Sequence, residues 1–152
     1  MYSKHESTRI KKEFWTTFGR YMKPIPNHGG ELVNWLNYKT GVKHIFFRMD
    51  ADEIHVSVGI EFNHPDSAAR MKCFDEFVNL KSLFTETLGE EWKWQKKMTD
   101  DQGIDISRIG IELSGINVLN TDDWPAIISF LKPRILSLDT FWCMVKDSFL
   151  YQ

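Results

Sequence analysis

The chain has 152 residues, 42% of them apolar and 26% charged, with a net charge of −2. That length and balance fit one soluble globular domain, residues 1–152, and no apolar run approaches the ~18 residues of a membrane span. The N-terminal MYSKHESTRIKKEF lacks the apolar stretch of an export signal, and Cys73 and Cys143 fall inside helical patterns, so reduced thiols and a cytoplasmic location are expected.

The first element is a helix from the Ser3-x-x-Glu6 capping box to about Met22, with Ile10, Phe14, Phe18 and Tyr21 or Met22 as its apolar stripe. Pro24, Pro26, Gly29 and Gly30 make a loop. A first strand is predicted over Leu32–Tyr38, a second over Val42–Asp50 and a third over Ile54–Phe62. A two-residue turn at Ala51-Asp52 would pair Met49 with Ile54, Phe47 with Val56 and Ile45 with Val58. On the reverse face Arg48 then lies across from His55, and His44 across from Gly59. A helix follows from Asn63-His64-Pro65-Asp66 to Leu88, closed by Gly89. Strands are predicted over Trp92–Met98 and Ile106–Leu113, the latter with Ile109, Ile111 and Leu113 inward. The tail is helical, and Pro133 is expected to break it into 125–131 and 133–149. The order is α-β-β-β-α-β-β-α-α, an α+β fold with a central, mainly antiparallel five-stranded sheet and helices packed on it. Six Trp and eleven Phe promise a thick helix-on-sheet contact.

Charge is uneven. Residues 1–44 carry eight Lys/Arg against three Asp/Glu, residues 45–91 four against ten, and residues 92–152 seven against eight. A basic first helix favours an acidic partner or a phosphate backbone; its plainer reading is a solvated face balanced by the acidic middle.

Strand Ile54–Phe62 alternates without a break, so one face meets a core and the other is free for polar groups. On or beside that polar face stand His44, Glu61, Asn63 and His64, a carboxylate and imidazoles able to hold a cation or move a proton. Their spacing matches no metal motif, and structural hydrogen bonding is the plainer reading. Asp50, Asp52 and Glu53 crowd a hairpin tip too short to wrap Ca²⁺ or Mg²⁺. Lys93, Lys96 and Lys97 interleave with Trp92 and Trp94, as in a single-strand binding platform, yet alternation turns the Trp rings away from Lys93 and Lys97. No nucleophile elbow, P-loop or dinucleotide fingerprint is present.

The segments EFWTTFGRYM (13–22), NWLNYKTGVKHIFFRMDAD (34–52), LGEEWKW (88–94), DWPAIISFLKPRI (123–135) and FW (141–142) resemble an uncharacterised bacterial family, domain of unknown function 4268. The resemblance spans nearly the whole chain and implies a small stand-alone protein, or a C-terminal domain of longer proteins with nuclease-like parts. It implies no activity. In topology, α-β-β-β-α-β is similar to the restriction-endonuclease-like PD-(D/E)xK core, with Glu61-Phe62-Asn63 where Glu-x-Lys would lie and His44 near the expected Asp. The Asp and Lys of that pattern are missing.

The reading is therefore a non-catalytic accessory or interaction domain, a degenerate relative of the nuclease core, that binds a protein or nucleic-acid partner and needs no cofactor or metal. Arg48, His55, Asn63 and His64 are its expected binding residues, beside His44 and Glu61. The alternative is a Mg²⁺-dependent nuclease with a shifted site, in which Glu13 joins Glu61 and Asp50 and His44 replaces the missing Asp. A third reading is a homodimer module joined through a sheet edge or the aromatic tail.

Overall fold

The computed structural model describes residues 2–150. Helix α1 spans Lys4–Met22; the Ser3 hydroxyl oxygen caps it by accepting from the Glu6 N–H at 3.1 Å. Ile10, Phe14, Phe18 and Met22 are buried at helical spacing, and Tyr21 is left outside.

The expected strand Leu32–Tyr38 does not form. Asn34 turns its side-chain oxygen onto the N–H groups of Leu36 and Asn37 and starts a 3₁₀ turn, Trp35–Asn37. A short polar side chain that satisfies nearby N–H groups competes with a sheet ladder, and here it prevails. Side chains pin this loop instead. The Trp35 indole donates to the Ile25 carbonyl at 2.9 Å, the Trp142 indole donates to the Thr40 carbonyl at 2.8 Å, and the Tyr38 hydroxyl donates to Asp139 at 2.5 Å.

Strand β1 (Ile45–Ala51) and strand β2 (His55–Phe62) form the central hairpin. Its register differs from expectation: Met49 faces Val58 and Ala51 faces Val56. Asp52 is the cause. Its Oδ1 accepts the N–H groups of Ile54 and His55 at 2.8 Å each, and its own N–H donates to the His55 carbonyl. The two-residue tip is therefore Glu53-Ile54, two residues further along the chain than Ala51-Asp52. Because the slip is four residues, every side chain keeps its face: Val56, Val58, Ile60 and Phe62 are buried in the core, while Ile54 is left at the tip, 70% exposed.

The helix expected to reach Leu88 is two, α2 (Ser67–Val78) and α3 (Lys81–Leu88), parted at Asn79-Leu80. The break re-aims α3 so that Phe84 meets Trp92, Trp94 and Phe141. Gly89 closes α3 with a left-handed φ of 72°, which glycine adopts without strain. Strands β3 (Lys93–Thr99) and β4 (Asp105–Ser114) complete the sheet, with a bulge between Gln95 and Met98 that turns the Lys-rich edge.

Helix α4 runs unbroken from Trp124 to Val145 through Pro133, and α5 covers Asp147–Leu150. An interior proline costs roughly 3 kcal/mol. Ile127, Phe130 and Leu131 before it and Ile135, Leu138 and Trp142 after it are all buried, each worth ~1.5–3 kcal/mol, so the buried stripe outweighs the break.

Among the described residues the sheet therefore has four strands, not five, all antiparallel, in the order β1-β2-β4-β3. The element order is α-β-β-α-α-β-β-α-α, so the α-β-β-β-α-β run behind the nuclease likeness is absent. Helices α2 and α4 pack on one side, where Phe62 meets Phe74 and Phe77, and Phe47 meets Trp142. Among the described residues of the tail, Phe141, Trp142 and Phe149 are buried inside this core. Among the described residues no helix is long and apolar enough to cross a membrane.

Candidate functional site: the uncovered sheet face

Among the described residues no helix lines the reverse face of the sheet. Its cross-strand rows follow from the register. Arg48, Gly59, Gly110 and Lys93 form one row; Phe46, Glu61, Arg108 and Gln95 form the next; Asp50, Ser57 and Glu112 form the third. Two glycines side by side leave a dip at the centre, and the Arg108 guanidinium lies across it. A Cβ on Gly110 would stand 2.3 Å from Arg108 Nη1, and one on Gly59 would stand 3.0 Å from Nη2. Glycine is required here for close approach.

Around this guanidinium lies a shallow depression of about 450 Å³, open to solvent. Arg48 closes one side, its Nε 3.6 Å from Glu61 and its guanidinium 4.5 Å from the centre of the Phe46 ring. His55 stands between two carboxylates, with Nδ1 2.8 Å from Asp52 and Nε2 3.6 Å from Glu112. Burial lowers the Arg108 pKa, and Glu61, Glu112 and Asp50 work against that shift. Yet among the described residues the Arg108 guanidinium makes no hydrogen bond and no ion pair. Burial raises the Asp52 carboxyl, but the N–H groups of Ile54 and His55 and the His55 ring outweigh it and hold it below the ordinary carboxylate range.

Of the residues named from the sequence, Arg48, Asp50, His55 and Glu61 meet in this depression. His44, Asn63 and His64 do not; they gather at the open end of the hairpin, where His44 Nδ1 faces Asn63 Oδ1 at 3.2 Å and the two histidine rings lie 4.5 Å apart. Glu13 stands elsewhere, paired with Arg9 on α1 at 2.8 Å. Among the described residues no three His, Cys, Asp or Glu side chains form a set able to hold a metal ion, so Glu13, His44, Asp50 and Glu61 are not assembled into the shifted nuclease site. Burial, then Glu76, pushes the Cys73 thiol up to about 12, which leaves it protonated and unreactive at neutral pH.

Sequence reasoning missed Arg108 and Glu112. Strand β4 is expected to turn Ile109, Ile111 and Leu113 inward; Ile109 is buried but Leu113 is 39% exposed, and Gly110 within an alternating strand is itself a sign of close approach.

Fold and site together define a small α+β domain with helices on one face of its sheet and a polar, charge-rich reverse face. Residues 10–146 match the family described as domain of unknown function DUF4268, and the chain belongs to that family. No curated protein and no solved structure matches it.

Proposed function

We propose that this domain is a non-catalytic interaction module whose uncovered sheet face receives a net-basic segment of a partner protein. The observation that carries this reading is the charge of the depression. Asp50, Asp52, Glu61, Asp100, Asp101 and Glu112 line it against Arg48 and Arg108. Such a ring attracts ammonium and guanidinium groups and repels a phosphate backbone. Arg108 at its centre has donors free for the backbone carbonyls of an extended segment. Helix α1, whose basic residues would favour a nucleic acid, packs on α4 through Phe14 and Trp124 and lends no residue to the depression. A Mg²⁺-dependent nuclease fits less well: Asp50 and Glu61 share the depression, but two guanidiniums already supply the positive charge there.

Fluorescence anisotropy with a labelled Lys-Ser repeat peptide and a labelled DNA duplex tests this. Saturable peptide binding is expected, weakened about tenfold by Glu61→Gln with Glu112→Gln, and unchanged by Glu13→Gln. Gly110→Ala, which displaces the Arg108 guanidinium, is expected to weaken it too. DNA cleavage with Mn²⁺ or Mg²⁺ that Glu61→Gln abolishes would overturn the proposal.

A further inference from the structure

At the hairpin's open end, a second cleft of about 580 Å³ is lined by Lys43, His44, His64 and Lys72, with Phe149 and Leu150 as an apolar wall. Among the described residues no carboxylate lines it. Asp66, two residues beyond His64, is turned to α2, which it caps by accepting from the Ala69 N–H at 3.3 Å. Among the described residues the ammonium groups of Lys43 and Lys72 make no ion pair and no hydrogen bond.

Beside the cleft, Arg70 is only 4% exposed. Its Nη1 donates to the His64 carbonyl at 3.0 Å, its Nε has no partner, and no carboxylate pairs with it. A buried cation without a counter-ion is costly, and an anion nearby relieves it.

The two imidazoles are set in complementary states. His64 Nδ1 accepts the Asp66 N–H at 3.0 Å, so its neutral ring carries the proton on Nε2 and donates. In the neutral His44 ring, Asn63 Oδ1 facing Nδ1 at 3.2 Å favours the tautomer with the proton on Nδ1 and Nε2 as the acceptor. His44 does this at φ 70°, the one non-glycine residue at positive φ among those described. Strain of this kind persists where the surroundings demand it, and it concentrates at ligand sites.

We propose that this cleft binds the phosphoryl group of a small organic phosphate. The two lysines, with Arg70 behind, balance its charge; His64 donates to a phosphoryl oxygen; His44 accepts from a P–OH; the Phe149–Leu150 wall takes the organic part. This site is separate from the sheet face and stands or falls independently of it.

Calorimetric titration with phenyl phosphate tests the proposal, with inorganic phosphate and benzoate beside it. Phenyl phosphate is expected to bind saturably and more tightly than either control. Lys43→Ala with Lys72→Ala should weaken it by at least about tenfold. His44→Gly, where glycine takes the positive φ freely, should weaken binding without lowering the melting temperature. Absence of saturable binding, affinity unchanged in the double lysine variant, or benzoate binding as tightly as phenyl phosphate would overturn it.

Discussion

Asp139 is 1% exposed and does the work of the missing strand. One oxygen accepts the Tyr38 hydroxyl at 2.5 Å and the other accepts the His28 N–H at 2.6 Å, tying residues from the long loop to the middle of α4. Burial, then the hydrogen bond to Asp139, raises the Tyr38 pKa above its ordinary value. A raised folded-state pKa gives stability that is complete below the unfolded value near 10 and falls as pH rises beyond it. Tyr38→Phe is expected to cost ~1–3 kcal/mol at neutral pH, because it leaves a buried acceptor short of a donor. It should also flatten the stability loss above about pH 10. Urea denaturation of both proteins across that range checks this; the buried thiols add a slope that begins lower, so the difference between the two is the readout. Nothing in the sequence links Tyr38 to Asp139, because 101 residues separate them and only the folded chain joins them. Arg48, Asp50, His55 and Glu61 were legible because alternation along one hairpin assigns them a face. Arg108 was not, because its role depends on two glycines from different strands.

Among the elements, those governed by period and capping follow the sequence, and those decided by a local competitor depart from it. Helix α1 has its expected cap and stripe. Strands β3 and β4 lie within a residue of their expected starts and ends. The departures at Leu32–Tyr38 and at the hairpin tip share one physical cause: an Asn or Asp side chain takes over backbone N–H groups. At Pro133 the contest runs the other way, and long-range burial overrides a local helix breaker. The tip gives a prediction of its own. The depressed pKa of Asp52 provides stability that is present above the unfolded value near 4 and lost as pH falls through the folded one. Asp52→Ala should cost about 1 kcal/mol at pH 7 and show a smaller acid-induced loss. Thermal melts from neutral to acid pH check both; an acid slope as steep as wild type would contradict the assignment.

At the level of the whole molecule, the decisive feature is one-sided layering. Aromatic side chains from α2, α3 and α4 close one sheet face, where Phe77 alone meets Phe62, Phe141, Trp142 and Phe149. A two-stranded Glu90–Arg134 clasp, 2.8 and 3.0 Å, fastens the α3–β3 connection to α4. The opposite face is left to charged groups over a glycine dip. The period-two pattern of the hairpin made that division readable; strand number and order were not, since they depend on whether Leu32–Tyr38 finds a partner. The most direct measurement is a ¹⁵N-resolved amide spectrum recorded while the Lys-Ser repeat peptide is added. Shifts are expected to cluster at Gly59, Glu61, Arg108, Gly110 and Glu112, with α1 and α4 unmoved. Shifts confined to α1, or none on the sheet while a DNA duplex moves it, would contradict the assignment of this face.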